Sequence, residues 1–227
     1  MTLRATPKAR RLLATILSCL AGVMVVSAAG FLGYPKYTDM KANRQQKVLR
    51  TEFATSAALR QAYENAAQPG AGGKKVVLAE GSAMTRIQIP RLHLDTVVVQ
   101  GTSDQALAAG AGHYPQTPLP CANSGNVGIA GHRTMNGHPF QRLDTLTPGD
   151  RVVLTTPFES CTYQIVAAVD GHANPYVTEP NDWTVVAQTA KPMLTMSTCT
   201  PEGTARQRLV ARAELVSKTS AAGSTVK

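Results

Sequence analysis

Between Arg86 and Val216 the chain repeats one pattern: a short run rich in Val, Ile, Leu and Thr, closed by Gly, Pro, Asn or Asp. Such runs fall at Arg86–Ile89, Thr96–Gln100, Asn126–Gly131, Arg151–Thr155, Thr162–Asp170, Met193–Cys199 and Arg208–Val216. β-Branched residues are stiff at χ1 and fit a pleated surface, and Gly and Pro punctuate it, so each run reads as a strand between turns. Leu146-Thr-Pro-Gly-Asp150 is one such turn. Short helical pieces fit at Ser103–Ala109, Pro139–Leu143 and around Trp183–Val186. The spacing predicts a mainly β fold, a closed or nearly closed antiparallel barrel, rather than alternating β/α units. Aromatic residues make up only 5% of the chain, so the core must rest on Val, Ile and Leu.

A second constraint lies upstream. Leu12–Tyr34 carries no charge, and Arg4, Lys8, Arg10 and Arg11 precede it. About 20 apolar residues cross a bilayer as a helix, so residues 12–34 read as a transmembrane helix. The basic cluster holds residues 1–11 in the cytoplasm and sends the rest outward. The competing reading is a cleaved secretory signal ending near Ser27-Ala28-Ala29. Residues 35–74 are polar and rich in Ala and Gln, and end in the linker AAQPGAGG. They predict a solvated helical stalk followed by a flexible break. Residues 75–217 then form the folded domain, and 218–227 a flexible tail. The formal net charge is +9, but residues 1–50 hold nine bases against one acid and account for +8 of it. A nucleic-acid-binding domain spreads its charge over the folded face, so nucleic acid is excluded as a partner.

Four cysteines remain to be placed. Cys19 lies in the apolar span. Cys121 and Cys161 sit in a Pro/Asn/Gly-rich loop and at a hairpin tip. Outside the membrane they can pair as a disulfide, leaving Cys199 the free external thiol, or stand as two separate thiols.

Cys199 ends an apolar run, His132 ends another (Val127-Gly-Ile-Ala-Gly-His132), and Arg208 opens a third. Strand ends fix backbone position while leaving side chains open to a groove. Cysteine acyl transfer needs a thiol, a group that manages its proton, and a fixed charge for the oxyanion. Cys199, His132 and Arg208 supply these three. Arg206 lies two residues before Arg208 and shares its strand face. Arg133 reads as a structural brace, and His113 and His138 as structural or loop residues. No phosphate loop or paired-cysteine zinc site is present, so neither a cofactor nor a metal is expected.

Ala130-Gly-His-Arg133, Ser197-Thr-Cys199 and Gln207-Arg-Leu-Val210 resemble the signature set of the sortases, surface transpeptidases of Gram-positive bacteria. Ile87-Gln-Ile-Pro90, Gly110-Ala-Gly-His-Tyr-Pro115 and Phe140-Gln-Arg-Leu143 extend the likeness over residues 84–216. Together they resemble class E, the housekeeping type of actinobacteria. The resemblance implies an eight-stranded sortase-type barrel. It also implies a Cys199 thioester with a Leu-Ala-X-Thr-Gly or Leu-Pro-X-Thr-Gly sorting signal cut between Thr and Gly. His132 would move the protons, and Arg208 would hold the substrate and the oxyanion. Tyr114, Thr198 and Arg206 are the substrate-binding candidates, with Tyr114 at the position tied to the Leu-Ala preference. The implied partners are signal-bearing surface proteins, the bilayer, and the amine of a lipid II-type peptidoglycan precursor. Thr200-Pro201 departs from the His-Pro that often continues the cysteine strand. Competing readings are a pilin-polymerising sortase, a hydrolase that passes the acyl group to water, and a non-catalytic membrane-tethered extracellular binding domain.

Overall fold

Ile87 and Ile89 alternate with Arg86 and Gln88 along β1 (Ala83–Ile89), and only the isoleucines reach the central core. This alternation of period two recurs through the domain. The computed structural model describes residues 7–67, 78–169 and 171–220. Met1–Tyr37 and Thr38–Lys227 form separate compact units. In the first, helix α1 (Pro7–Thr55) begins and carries a stretch long and apolar enough to cross a membrane. Its large apolar side chains there, including Val23, Met24 and Phe31, are exposed.

The second unit is the barrel. β1 pairs with β2 (Leu94–Gln100) on one side and β5 (Arg151–Thr155) on the other. β2 continues to β3 (Ala111–His113) and β4 (Asn126–Gly131), and β5 to β6 (Glu159–Ile165). After the small β7–β8 ladder (Ala168–Val169, His172–Ala173) and β9 (Tyr176–Thr178) come β10 (Met193–Thr200) and β11 (Gln207–Ser220). β10 pairs with both β4 and β11, and β6 pairs with β11, so eight strands close on themselves. β9 adds to the outer edge of β11 at Arg208–Val210.

The antiparallel expectation is corrected at two joints. β2–β3 and β10–β4 run parallel, so the closed barrel is mixed. Parallel neighbours need crossovers, which the loops around α3 (Asp104–Leu107) and the 3-10 helix Trp183–Val186 help provide. The helical piece read at Pro139–Leu143 is instead a 3-10 turn at Leu143–Thr145. The strand read as Thr162–Asp170 ends at Ile165, and Asp170 lies outside the described residues. The interior is Val, Ile and Leu with two large aromatics, Phe140 and Tyr163, fully buried. Cys121 and Cys161 are joined by a disulfide with Cα atoms 5.7 Å apart.

The stalk expectation is corrected too. Its helix forms, but residues 38–67 lie on the barrel. β2 is buried on both faces: Val98 points into the core, while Val97 and Val99 pack with Leu49 and Phe53 of α1. Gln46 spans the joint, accepting from Val97 N (2.8 Å) and donating to Val97 O and Ala109 O (2.9 and 2.8 Å). Helix α2 (Ala57–Ala67) starts at Ser56, whose Oγ accepts from Leu59 N at 3.1 Å, and it buries Leu59 and Ala62 beside Met84. At the other end, Lys218–Ser220 continue β11 rather than fraying, and residues 221–227 lie outside the described residues.

Candidate active site

Register arithmetic assembles the site. In the parallel β10–β4 pair Ser197 lies level with Ala130, so Cys199 and His132, each two residues further on, emerge at the same end of the barrel. In the antiparallel β10–β11 pair Cys199 and Arg208 are direct partners. Residues nine apart in sequence thus face each other, and Arg208 Nη1 donates to Cys199 Sγ at 3.5 Å. Arg208 also donates to the carbonyls of Ala205 (3.4 Å) and Gln207 (3.3 Å), which aim its guanidinium along the strand end. Its permanent charge therefore stands beside the sulfur, where negative charge gathers during acyl transfer.

His132 is half-buried and faces the same cavity. Desolvation pushes its pKa below the ordinary value, and the carboxylate of Asp104 opposes that push. A partly desolvated imidazole gives up its proton more readily, a property that a general acid can use. Among the described residues no hydrogen bond joins His132 to Cys199. The two ends are tied one residue further on, where Arg133 Nη1 donates to Thr200 Oγ1 at 2.8 Å. Arg133 also bonds Asp144 (3.0 Å) and Gln141 O (3.3 Å), and pairs with Glu202 (3.5 Å), the bracing role read from its place after the histidine.

The cavity measures about 580 Å³. Besides the trio it is walled by Tyr114, Thr198 and Trp183. Tyr114 shares a hydrogen bond with Ser197 Oγ at 3.0 Å and meets Trp183 edge-on, with ring centroids 6.3 Å apart. Gly128 makes room for it: a Cβ there would sit 2.8 Å from Tyr114 Cδ2. Thr198 is buried, and its Oγ1 has no hydrogen-bond partner among the described residues. Arg206 is exposed and does not line the cavity, so the structure separates it from the other candidates.

Sequence reasoning did not single out Asp104, Ser197 or Trp183 as site residues. Ser197 was visible as the residue two before the cysteine on one strand face; Asp104 and Trp183 each open a short helical turn, and nothing in their local sequence ties them to the cavity. His113 is buried among Gln100, Thr117 and Pro118, away from the chemistry. His138 has a carboxylate partner that its own neighbourhood does not offer, Asp39 at 3.3 Å. One group of potential metal ligands, Cys121, Glu159 and Cys161, occurs among the described residues, and two of its members are the disulfide cysteines.

Comparison with known proteins places this arrangement. Residues 87–216 match the sortase domain family. The chain is 29% identical over 182 residues to sortase SrtE1 of Streptomyces coelicolor, covering 73% of this chain and 50% of that protein. It is 25% identical over 183 residues to sortase D of Bacillus subtilis, covering 80% and 85%. Among solved structures, sortase E1 of Streptomyces coelicolor with a tripeptide in its active site superposes with a TM-score of 0.56 at 29% identity, over 63% of this chain and 94% of that one. The SrtF sortase of Corynebacterium diphtheriae gives 0.59 at 25% identity, over 70% and 97%. The chain spans about half the length of its Streptomyces coelicolor relative SrtE1.

Proposed function

The chain belongs to the sortase family, and from that premise we propose that it is a membrane-anchored cysteine transpeptidase acting outside the cell. One observation carries the reading: Arg208 is hydrogen-bonded to Cys199 at the strand end, in the cavity that His132 also lines.

Cys199 passes its thiol proton to His132 as the sulfur attacks the carbonyl carbon of the scissile Thr–Gly bond, and the tetrahedral oxyanion gathers beside Arg208. The C–N bond breaks as His132 passes a proton to the leaving glycine nitrogen. A thioester remains on Cys199. An incoming amine then attacks the thioester carbonyl, His132 takes its proton, and the sulfur leaves as the new amide forms. No redox partner or metal enters the balance.

The substrate is a sorting signal of the Leu-Ala-X-Thr-Gly or Leu-Pro-X-Thr-Gly type, and the acceptor is the amine of a lipid II-type peptidoglycan precursor. Similarity to class E sortases and the seating of Tyr114 against Ser197 favour the Leu-Ala signal. The apolar stretch of α1 is the anchor, and the basic residues before it keep the N-terminus cytoplasmic.

The test uses the full-length chain in detergent, incubated with both peptides and followed by intact mass. The expected result is an acyl adduct on Cys199 that an added amine resolves, with the Leu-Ala peptide preferred and Cys199→Ala unreactive. An adduct that only water resolves would make the protein a hydrolase. A folded chain with a free Cys199 thiol and no adduct would sink the enzyme reading and favour a tethered binding domain.

A further inference from the structure

The segment after His132 holds a backbone that its own side chains disfavour. Asn136, Gly137 and His138 take consecutive positive φ angles of 54°, 77° and 34°. This is the left-handed region, where a Cβ crowds the neighbouring carbonyl, and two of the three residues carry one. Such a conformation persists only where its surroundings over-determine it. The segment bears directly on the site. Thr134 and Met135 line the active-site cavity, and Phe140 N donates back to His132 O at 3.3 Å, closing the loop on the histidine itself. One end is tied by Arg133 to Thr200, beyond the cysteine.

The strained turn is held by α1. Asp39 Oδ1 accepts from Gly137 N at 2.7 Å, Asp39 Oδ2 pairs with His138 Nδ1 at 3.3 Å, and Thr38 Oγ1 accepts from Asn136 N at 3.4 Å. Both carboxylate oxygens of Asp39 are thus committed to two residues of the strained loop, and Thr38 holds the third. Ala42 lies one turn further on and is buried, and a Cβ on Gly137 would reach its Cβ at 3.6 Å. Asp39 itself is not among the residues lining the cavity.

We infer that Asp39 is a positioning residue for His132, acting through the loop 133–140, so that the N-terminal helix sets the geometry of proton transfer. The inference rests on the transpeptidase reading. His132 must meet a leaving and then an incoming nitrogen at hydrogen-bond distance, and small displacements of a proton-transfer group cost rate without costing binding. The walls that hold the peptide, on β10 and around Tyr114 and Trp183, do not depend on Asp39.

The experiment compares full-length wild type, Asp39→Ala, Asp39→Asn and Glu52→Ala in detergent. Glu52 is the control, because it also joins α1 to the barrel, accepting from Ala83 N at 3.0 Å, far from the loop in sequence. Turnover of the signal peptide with an added amine is measured beside an NMR titration of the His132 imidazole. In Asp39→Ala, kcat is expected to fall about 10- to 100-fold while KM stays within about twofold. Its His132 should titrate closer to the ordinary imidazole value, because a loosened loop admits water. Asp39→Asn keeps an acceptor for Gly137 N and should recover most of kcat. Glu52→Ala should melt lower with kcat unchanged. Wild-type kcat and titration in Asp39→Ala would overturn the inference, as would an equal loss of kcat in Glu52→Ala. If wild type turns over no peptide, the transpeptidase reading fails, and the His132 titration alone decides whether Asp39 positions the imidazole.

Discussion

Arg206 and Arg208 carry the same chemistry two positions apart, yet only one belongs to the site. Cross-strand pairing decides between them: Arg208 is the partner of Cys199, whereas Arg206 precedes β11 and stays in solvent. Two buried polar side chains of the domain are likewise set by their partners. Arg133 is buried with four of them, a cost that its hydrogen bonds offset. His113 is buried with Nδ1 3.0 Å from Gln100 Oε1 and Nε2 2.9 Å from Pro118 O, and burial pushes its pKa down to about 4 from 6.5. Thr117, its other contact, is uncharged. Folding therefore excludes a proton that the unfolded chain binds. The contribution is complete above about pH 6.5 and is lost as pH falls toward about 4, by up to about 3 kcal/mol. Urea unfolding between about pH 7.5 and pH 4.5 is the check on this linkage. Wild type should lose clearly more stability over that range than His113→Gln, and parallel losses would refute the assignment.

At the scale of elements, the helices upstream of the barrel behave as part of it. Residues 38–67 contribute few large apolar side chains, and those they contribute cover Val97, Val99 and Met84 on the outer face of β1 and β2. Each such side chain is worth roughly 1.5–3 kcal/mol when buried, a large share of a typical folding free energy of about 5–15 kcal/mol. A chain begun at Leu78 should accordingly melt at least about 10 °C below one begun at Thr38, or aggregate. Equal melting temperatures in a thermal scan would restore the free-stalk picture. β3 is the opposite case. Ala111-Gly-His113 has no strand signature, but it fills the gap between β2 and β4, where neighbours on both sides satisfy its backbone.

For the whole molecule, the proposed orientation makes a direct prediction. Protease added to intact cells should digest the Thr38–Lys227 unit and leave the apolar span with its basic N-terminus, whereas complete protection would reverse the topology. Most of the barrel was legible in the sequence. Seven strands announced themselves by alternation and turn residues, and His132, Cys199 and Arg208 by standing at strand ends, because those signals are local and the period of a strand is written in adjacent residues. The choice between mixed and antiparallel pairing was not legible, since a strand's own pattern does not name its neighbour's direction. Nor was the coverage of β2 by α1, which rests on Gln46 together with Leu49 and Phe53 rather than on a continuous apolar stripe. The Cys121–Cys161 bridge and the grip of Asp39 on the loop after His132 join segments 40 and 98 residues apart. Contacts at that range exist only once the barrel has closed and brought the partners within a hydrogen bond or a covalent bond of each other. The sequence therefore singled out Cys199, His132 and Arg208 as the candidates for the chemistry, and the tertiary structure decided what holds them in place.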